Sequence, residues 1–467
     1  MSDTYLIEPG IGEWRTATVD GDDIPVSVDF IGEAALDPTD CVMTARVTKV
    51  DRANDMAFVA LPTGSDGAIG FRRAHAFVPG KPKDELKSIA DCATEGALVK
   101  VQVIGEASGL EAKAVPLTAK VKLVGRHLVI EQARGRLNFS KDIKPHAIGP
   151  LKSGLASYAE KVSIIVRSNA GLVPAQAVIN EADWLMAAFD AQRGDTATMF
   201  SPSPLERALL AAPEGDKDII IEGGSALADA KALAAKRWPE LTPRLKGWDK
   251  SESMMEAMGV DEAIDEAIAD RIDLPTGGWI AVYETPAFTA IDVNMAGAMA
   301  GRSAAEARRV TNLEAALATI FHMRFQNMGG IIVVDFIDNN AKGAVAEMMR
   351  FIDAALKDDD VPVQHTGLSA FGLLQFNRKR RGRSLRTRLM HQSAPSETAS
   401  NSALTLLRRA RRVGLSAESG VLVIKAAPAV IKWLEGHSAL TVALSAETSR
   451  DLRLESGKTT DCYIEKS

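Results

Sequence analysis

The chain has 467 residues, room for about three to four domains, and its 46% hydrophobic and 25% charged content excludes wholesale disorder and collagen-like repeats. A net charge of -6 argues against a general polyanion binder, and the three scattered cysteines, Cys41, Cys92 and Cys462, exclude a disulfide framework or a Cys-rich zinc site and fit a reducing cytoplasm. The first ten residues carry Asp3 and Glu8 and no basic or long apolar stretch, so no signal peptide is expected, and no apolar run reaches the roughly 18 residues that span a membrane.

In chain order, residues 42–61 alternate in period 2 on both sides of Asp51 and Asp55 and predict a hairpin. Residues 67–71 and 98–104 continue the strand pattern. Short strands with glycine turns over this stretch predict a small closed barrel of the OB type. Residues 121–199 mix strands, at 122–131 and 162–167, with a helix at 174–191. Helices at 205–211 and 227–238 flank a strand at 219–222. Residues 251–273 hold eight acids against Arg271, interleaved with Met254, Met255, Met258, Ile264, Ile268 and Ile272, and predict an amphipathic helix with a charged outer face.

Residues 278–374 are the clearest stretch. Strands are predicted at 279–283 and 288–293, the second ending in Asp292-Val293-Asn294. Ser303 with Glu306 makes a capping box, and Val310, Leu313, Leu317, Ile320 and Phe321 fall on one helical face behind it. Asn327 and Gly329-Gly330 stop that helix. The apolar run 331–334 predicts a buried parallel-type strand ending at Asp335, and a helix follows at 344–356. This β-α-β-α order predicts a right-handed crossover unit. Residues 392–402 are small and polar and predict a linker. A compact piece follows at 403–467, with a strand at 421–425 and a helix at 429–434.

The net charge hides an asymmetry. Residues 377–413 carry eleven basic side chains against one acid, Glu397, a local +10 that leaves -16 for the rest. Such a block can pair with phosphates and release counterions. It equally suits a solvated helix face or a linker.

Asp292 and Asp335 each close an apolar strand of one crossover unit. Ligands of open α/β sheets bind beyond the carboxyl ends of the strands. If the two strands are neighbours, the carboxylates converge and repel unless a cation lies between them. Mg²⁺, which keeps several waters and takes one or two carboxylates, suits such a pair and supports phosphoryl chemistry. Asn294 points to the same side, and Asp338 is near enough to support the pair or cap the next helix. Either aspartate alone could equally begin a turn.

Residues 274–278 (LPTGG), 289–294 (TAIDVN), 311–316 (TNLEAA), 329–338 (GGIIVVDFID) and 371–374 (FGLL) together resemble the bacterial ribonuclease E/G family. The resemblance implies a multidomain α/β chain. It further implies an RNase H-like domain (1–35 with 200–273), an OB-fold RNA-binding barrel (36–120), a 5′-sensor region (121–199), a DNase I-like catalytic domain (274–390), a linker (391–402) and a small C-terminal domain (403–467). It implies Asp292 and Asp335 as Mg²⁺ ligands and Asn294 as the residue that orients the scissile phosphate. Phe58, Phe71 and Lys113 fall where the family's barrel contacts single-stranded RNA by stacking and charge. Arg167 and Ser168 fall where it senses a 5′-phosphate. The Arg378–Arg388 stretch, with Arg378 foremost, then becomes an element of the RNA path.

Two departures stand out. Residues 390–402 hold no cysteine where the family has a Cys-x-x-Cys zinc link, so no zinc is expected and a homodimer would not be zinc-linked. After Asn294 the chain reads Met295-Ala296-Gly297 where the family has Ser and an Arg/Gly-rich stretch. The leading expectation is a cytoplasmic, Mg²⁺-dependent endoribonuclease that leaves 5′-phosphate and 3′-hydroxyl ends. The competing expectations are a weak or inactive RNA-binding protein of the same fold, and a factor for ribosomal RNA processing or assembly.

Overall fold

The computed structural model describes residues 3–33, 37–78, 80–106, 114–133, 135–191, 200–295, 301–338, 343–359, 361–390, 399–416 and 418–466. The chain divides into two compact units, Met1–Met390 and His391–Ser467.

The larger unit holds three open sheets and a closed barrel. Thr4–Glu8, Glu13–Val19 and Pro25–Gly32 form a meander that pairs in parallel with Ile219–Ile221, and that strand in turn with Leu245–Gly247. The barrel runs Val42–Asp51, Met56–Ala60, Asp66–Gly70, Val115–Thr118 and Leu98–Val103 before closing on its first strand. The predicted hairpin is its first strand pair, turning at Asp55, whose φ of 53° is left-handed. The predicted single strand 122–131 is two strands, Lys122–Val124 and Leu128–Glu131, broken at Gly125–His127. The acidic stretch is likewise two helices, Met254–Ala257 and Val260–Ile268, because Gly259 between them has φ 67°, and its end, Arg271–Asp273 with Ile272, is a strand rather than helix.

The sheet that carries the aspartates has six strands: β1 Arg271–Asp273, β2 Trp279–Glu284, β3 Thr289–Asn294, β4 Gly330–Asp335, β5 Val363–His365 and β6 Leu373–Arg378, in the order β1-β2-β3-β4-β6-β5. Helix α1, Ala304–Phe325, connects the parallel pair β3 and β4, and α2, Ala344–Ala355, follows β4. Ser303 caps α1, its hydroxyl accepting the Glu306 N–H. The buried stripe of α1 includes Ala307, Thr311, Ala315, Ala316, Thr319, Ile320 and Met323, and of the predicted face only Ile320 is fully in it, with Leu313 and Phe321 partly buried beside it. Leu317 is exposed, because small side chains let the helix sit close to the sheet.

Alternation fixes the register. Ile291, Val293, Ile332 and Val334 enter the core under α1 and α2. At about 1.5–3 kcal/mol per buried aliphatic chain, they contribute roughly 6–12 kcal/mol. A one-residue slip would bury the aspartates in their place. The apolar run 331–334 is therefore buried on one face only, and Ile331 is exposed on the other.

The smaller unit contains helix Ala399–Gly414 and a three-stranded sheet, Leu452–Ser456, Val421–Ala426 and Asp461–Glu465, packed with Pro428–Gly436 and Ser438–Thr448. The end of the predicted linker, residues 399–402, is the first turn of that helix. Residues 391–398 lie outside the described residues.

Candidate active site

β3 and β4 are neighbours, and Asp292 stands directly opposite Asp335. Facing residues of paired strands share a face, so both carboxylates leave the sheet on the side away from α1 and α2. Both are exposed. Asn294, two residues on, shares that face, and its Nδ2 donates to Asp292 Oδ2 at 2.8 Å. A Cβ on Gly278 would stand 2.8 Å from the Asn294 carbonyl oxygen and 3.0 Å from Thr311 Cγ2, so only glycine allows this approach. The end of β4 is held from α1: Asn312 accepts the Ile337 N–H at 3.1 Å and donates to its carbonyl at 2.7 Å. Asp338, exposed just beyond, lines a cavity of about 180 Å³ with Arg309, Asn312 and Ser369.

Among the described residues no group of three or more His, Cys, Asp or Glu side chains could hold a metal. Two hard carboxylates on facing strand ends would suit a hard divalent cation that keeps most of its waters, as Mg²⁺ does.

The other predicted site residues lie elsewhere. Phe58 faces outward from the barrel strand Met56–Ala60, while Ala57 and Val59 fill the core, and Lys49 Nζ stands 5.9 Å from its ring centroid. Phe71 begins a short helix, Phe71–Ala74, and packs edge-on against His75 at 4.6 Å. Lys113 lies outside the described residues. Arg167 is half-buried, donating from Nη1 to the Gly125 carbonyl at 2.8 Å, and Ser168 beside it is exposed.

The model of the ribonuclease E/G family matches residues 122–381. The chain belongs to the ribonuclease E/G family. It is 25% identical over 467 residues to ribonuclease G of Escherichia coli strain K12, an alignment covering 95% of this chain and 94% of that one. It is 25% identical over 375 residues to ribonuclease G of Haemophilus influenzae, covering 76% of each chain. It is 28% identical over 344 residues to ribonuclease E of a Nostoc species, covering 71% of this chain and 50% of that one. The family match contains Arg167, Ser168, Asp292, Asn294, Asp335, Asp338 and Arg378, whereas Phe58, Phe71 and Lys113 precede it.

In this family member Arg378 does not offer itself to RNA. It is 3% exposed. Its Nε and Nη2 donate to the Asp359 carboxylate at 2.7 and 3.1 Å, and its Nη1 donates to the Met328 carbonyl at 2.9 Å. The rest of the basic run is only partly free for a polyanion. Arg386 is engaged by Asp270, and Arg388 by Glu13 and Glu106. Lys379, Arg380 and Arg381 are exposed. The run is therefore first a clamp between distant segments of the larger unit, which linear charge counting does not reveal.

Behind Arg167 lies a set of residues that the sequence reading missed. Glu181, fully buried, accepts the backbone N–H groups of Arg126, His127 and Leu128 at 2.7, 2.7 and 2.9 Å, and Trp238 Nε1–H at 2.7 Å. A Cβ on Gly125 would fall 2.6 Å from that carboxylate. Burial alone would hold the His127 pKa down, but its contacts with Glu181 and Glu240 raise it to about 9. Asn169 donates to the Arg126 carbonyl at 2.7 Å. The turn that accepts Arg167 is thus locked from beneath. The readable signal was a glutamate on the buried stripe Val178, Glu181, Ala182, Leu185 of the helix Ala175–Ala191.

Proposed function

We propose that this chain, an endoribonuclease by family, cleaves single-stranded RNA hydrolytically with Mg²⁺ held at Asp292 and Asp335. The observation that carries the reading is the facing register of the two carboxylates within the segment matched by the family model. A bound Mg²⁺ would supply an activated water and offset charge on a phosphoryl oxygen. Asn294, fixed on Asp292, presents its amide to the scissile phosphate. The water oxygen attacks phosphorus, the P–O3′ bond breaks in line, and the water's proton ends on the 3′ oxygen. The products carry a 5′-phosphate and a 3′-hydroxyl.

The barrel's strand order, with its first strand closing on its fourth and its third pairing in parallel with its fifth, supports an OB-type RNA-binding role. Phe58, on its outer face, is the stacking residue of that role. Arg167 and Ser168 would read a 5′-terminal phosphate. The free thiols of Cys41, Cys92 and Cys462 support a reducing compartment, the cytoplasm.

The test is Asp292→Asn with a 5′-monophosphorylated oligoribonucleotide. Cleavage falls at least 100-fold while binding persists; unchanged turnover sinks the assignment.

A further inference from the structure

The face that bears the carboxylates continues past them as an ordered row. Antiparallel pairing sets Ala281 of β2 opposite Asp292, Tyr283 opposite Ala290, and Trp279 opposite Asn294. Across the sheet, Ala290 faces Val333, and Val333 faces Gln375 of β6. The carboxylate row is therefore Ala281, Asp292, Asp335, Leu373, and the adjacent row is Tyr283, Ala290, Val333, Gln375. Two residues of strand separate them, about 6.8 Å. Tyr283 is 55% exposed; it lies beyond the end of β1, so Ala290 of β3 is its one strand partner among the described residues. Gln375 is exposed at the row's other end.

We propose that this row is a nucleobase subsite, receiving the base next to the scissile phosphate on the Tyr283 ring. The inference rests on the reading of Asp292 and Asp335 as the hydrolytic centre. Three features carry it. The row is neutral, so beside two carboxylates it favours an uncharged base over another phosphate. Ala290 and Val333 form a low apolar floor between an aromatic ring at one end and an amide at the other, the combination that stacks a base and hydrogen-bonds its edge. The strand register makes the row continuous with the carboxylates, at a spacing comparable to one step of a splayed single strand. On the other flank Trp279 stands one step beyond Asp292, with the Arg271 guanidinium 5.0 Å from its ring centroid. The carboxylates therefore lie between two aromatic rings on one strand.

The test uses the full chain as Tyr283→Ala and Tyr283→Phe. Binding is measured in the Asp292→Asn background, with single-stranded oligoribonucleotides that are intact or carry one abasic nucleotide beside the cleavage position. Tyr283→Ala weakens binding of the intact oligonucleotide about 5- to 150-fold. It has no effect on the oligonucleotide abasic at the matching position, and Tyr283→Phe retains wild-type affinity. Equal losses on intact and abasic strands, or no loss on either, overturn the subsite. So does a change of sedimentation with Tyr283→Ala in the absence of RNA, which would make this face a contact between copies of the chain. Full cleavage by Asp292→Asn would instead refute the hydrolytic centre and leave the abasic comparison to stand by itself.

Discussion

Replacing Arg378 by methionine separates the two roles open to this side chain. The sequence offered it as a contact for RNA, but the fold buries it against Asp359, whose carboxylate is fully shielded. Methionine keeps much of the volume and removes the charge, leaving Asp359 unpaired and the Met328 carbonyl without its donor. Breaking one partner of a buried pair costs about 3–5 kcal/mol. That is a large share of the roughly 5–15 kcal/mol that holds a typical domain. For a unit of this size it lowers Tm by roughly 4–6 °C. The acid limb changes too. Burial pushes the Asp359 carboxyl up, but the hydrogen bonds and charge of Arg378, together with the Val361 N–H and the Arg324 charge, outweigh this and hold it below the usual range. Its stabilisation is therefore present above the ordinary carboxylate range and lost as pH falls through the depressed value. The assay is thermal unfolding followed by circular dichroism, with RNA affinity measured against salt on the folded variant. Adding Asp359→Leu recovers most of the lost stability, because an apolar pair replaces the orphaned charge. An unchanged Tm, with the salt slope reduced by about one, would mean a phosphate contact and refute the burial argument.

Arg167→Ala erases any preference for 5′-monophosphate over 5′-hydroxyl substrates; competition between the two oligonucleotides reads it, and a surviving preference removes Arg167 from that role. His127 gives stability a basic limb. Its folded pKa, raised to about 9, exceeds the unfolded value of about 6.5, so its stabilisation is complete below pH ~6.5 and lost as pH rises through about 9. The swing is about 3 kcal/mol, and a urea midpoint that stays flat from pH 7 to 9.5 would exclude it.

Much of the site was legible because its signals are local. Although the run 331–334 reads as buried throughout and is buried on one face only, the aspartate at each strand's end reads the same from one sequence as from the structure. So do the Ser303 cap and the helix stop at Asn327, whose φ of 50° is the left-handed turn expected there. Errors arose where a local pattern had two physical realisations. The 251–273 stretch has helical periodicity, yet one glycine divides it and its last three residues pair as strand β1. The apolar positions of α1 suggested a stripe of large side chains, whereas close approach to the sheet selected the small ones. The arginines of 378–388 look alike in sequence, and only their distant carboxylate partners distinguish clamp from solvent-facing charge.

The sequence by itself pointed to the family and set Asp292, Asn294 and Asp335 at the ends of two apolar strands. Only the tertiary structure decided that Asp292 faces Asp335, that Tyr283 lies one row away, and that Arg378 is spent inside. Where a strand or helix ends is set by neighbours along the chain. Register and ion pairing depend on partners tens to hundreds of residues away, chosen by which burial leaves fewest charges and hydrogen bonds unpaired.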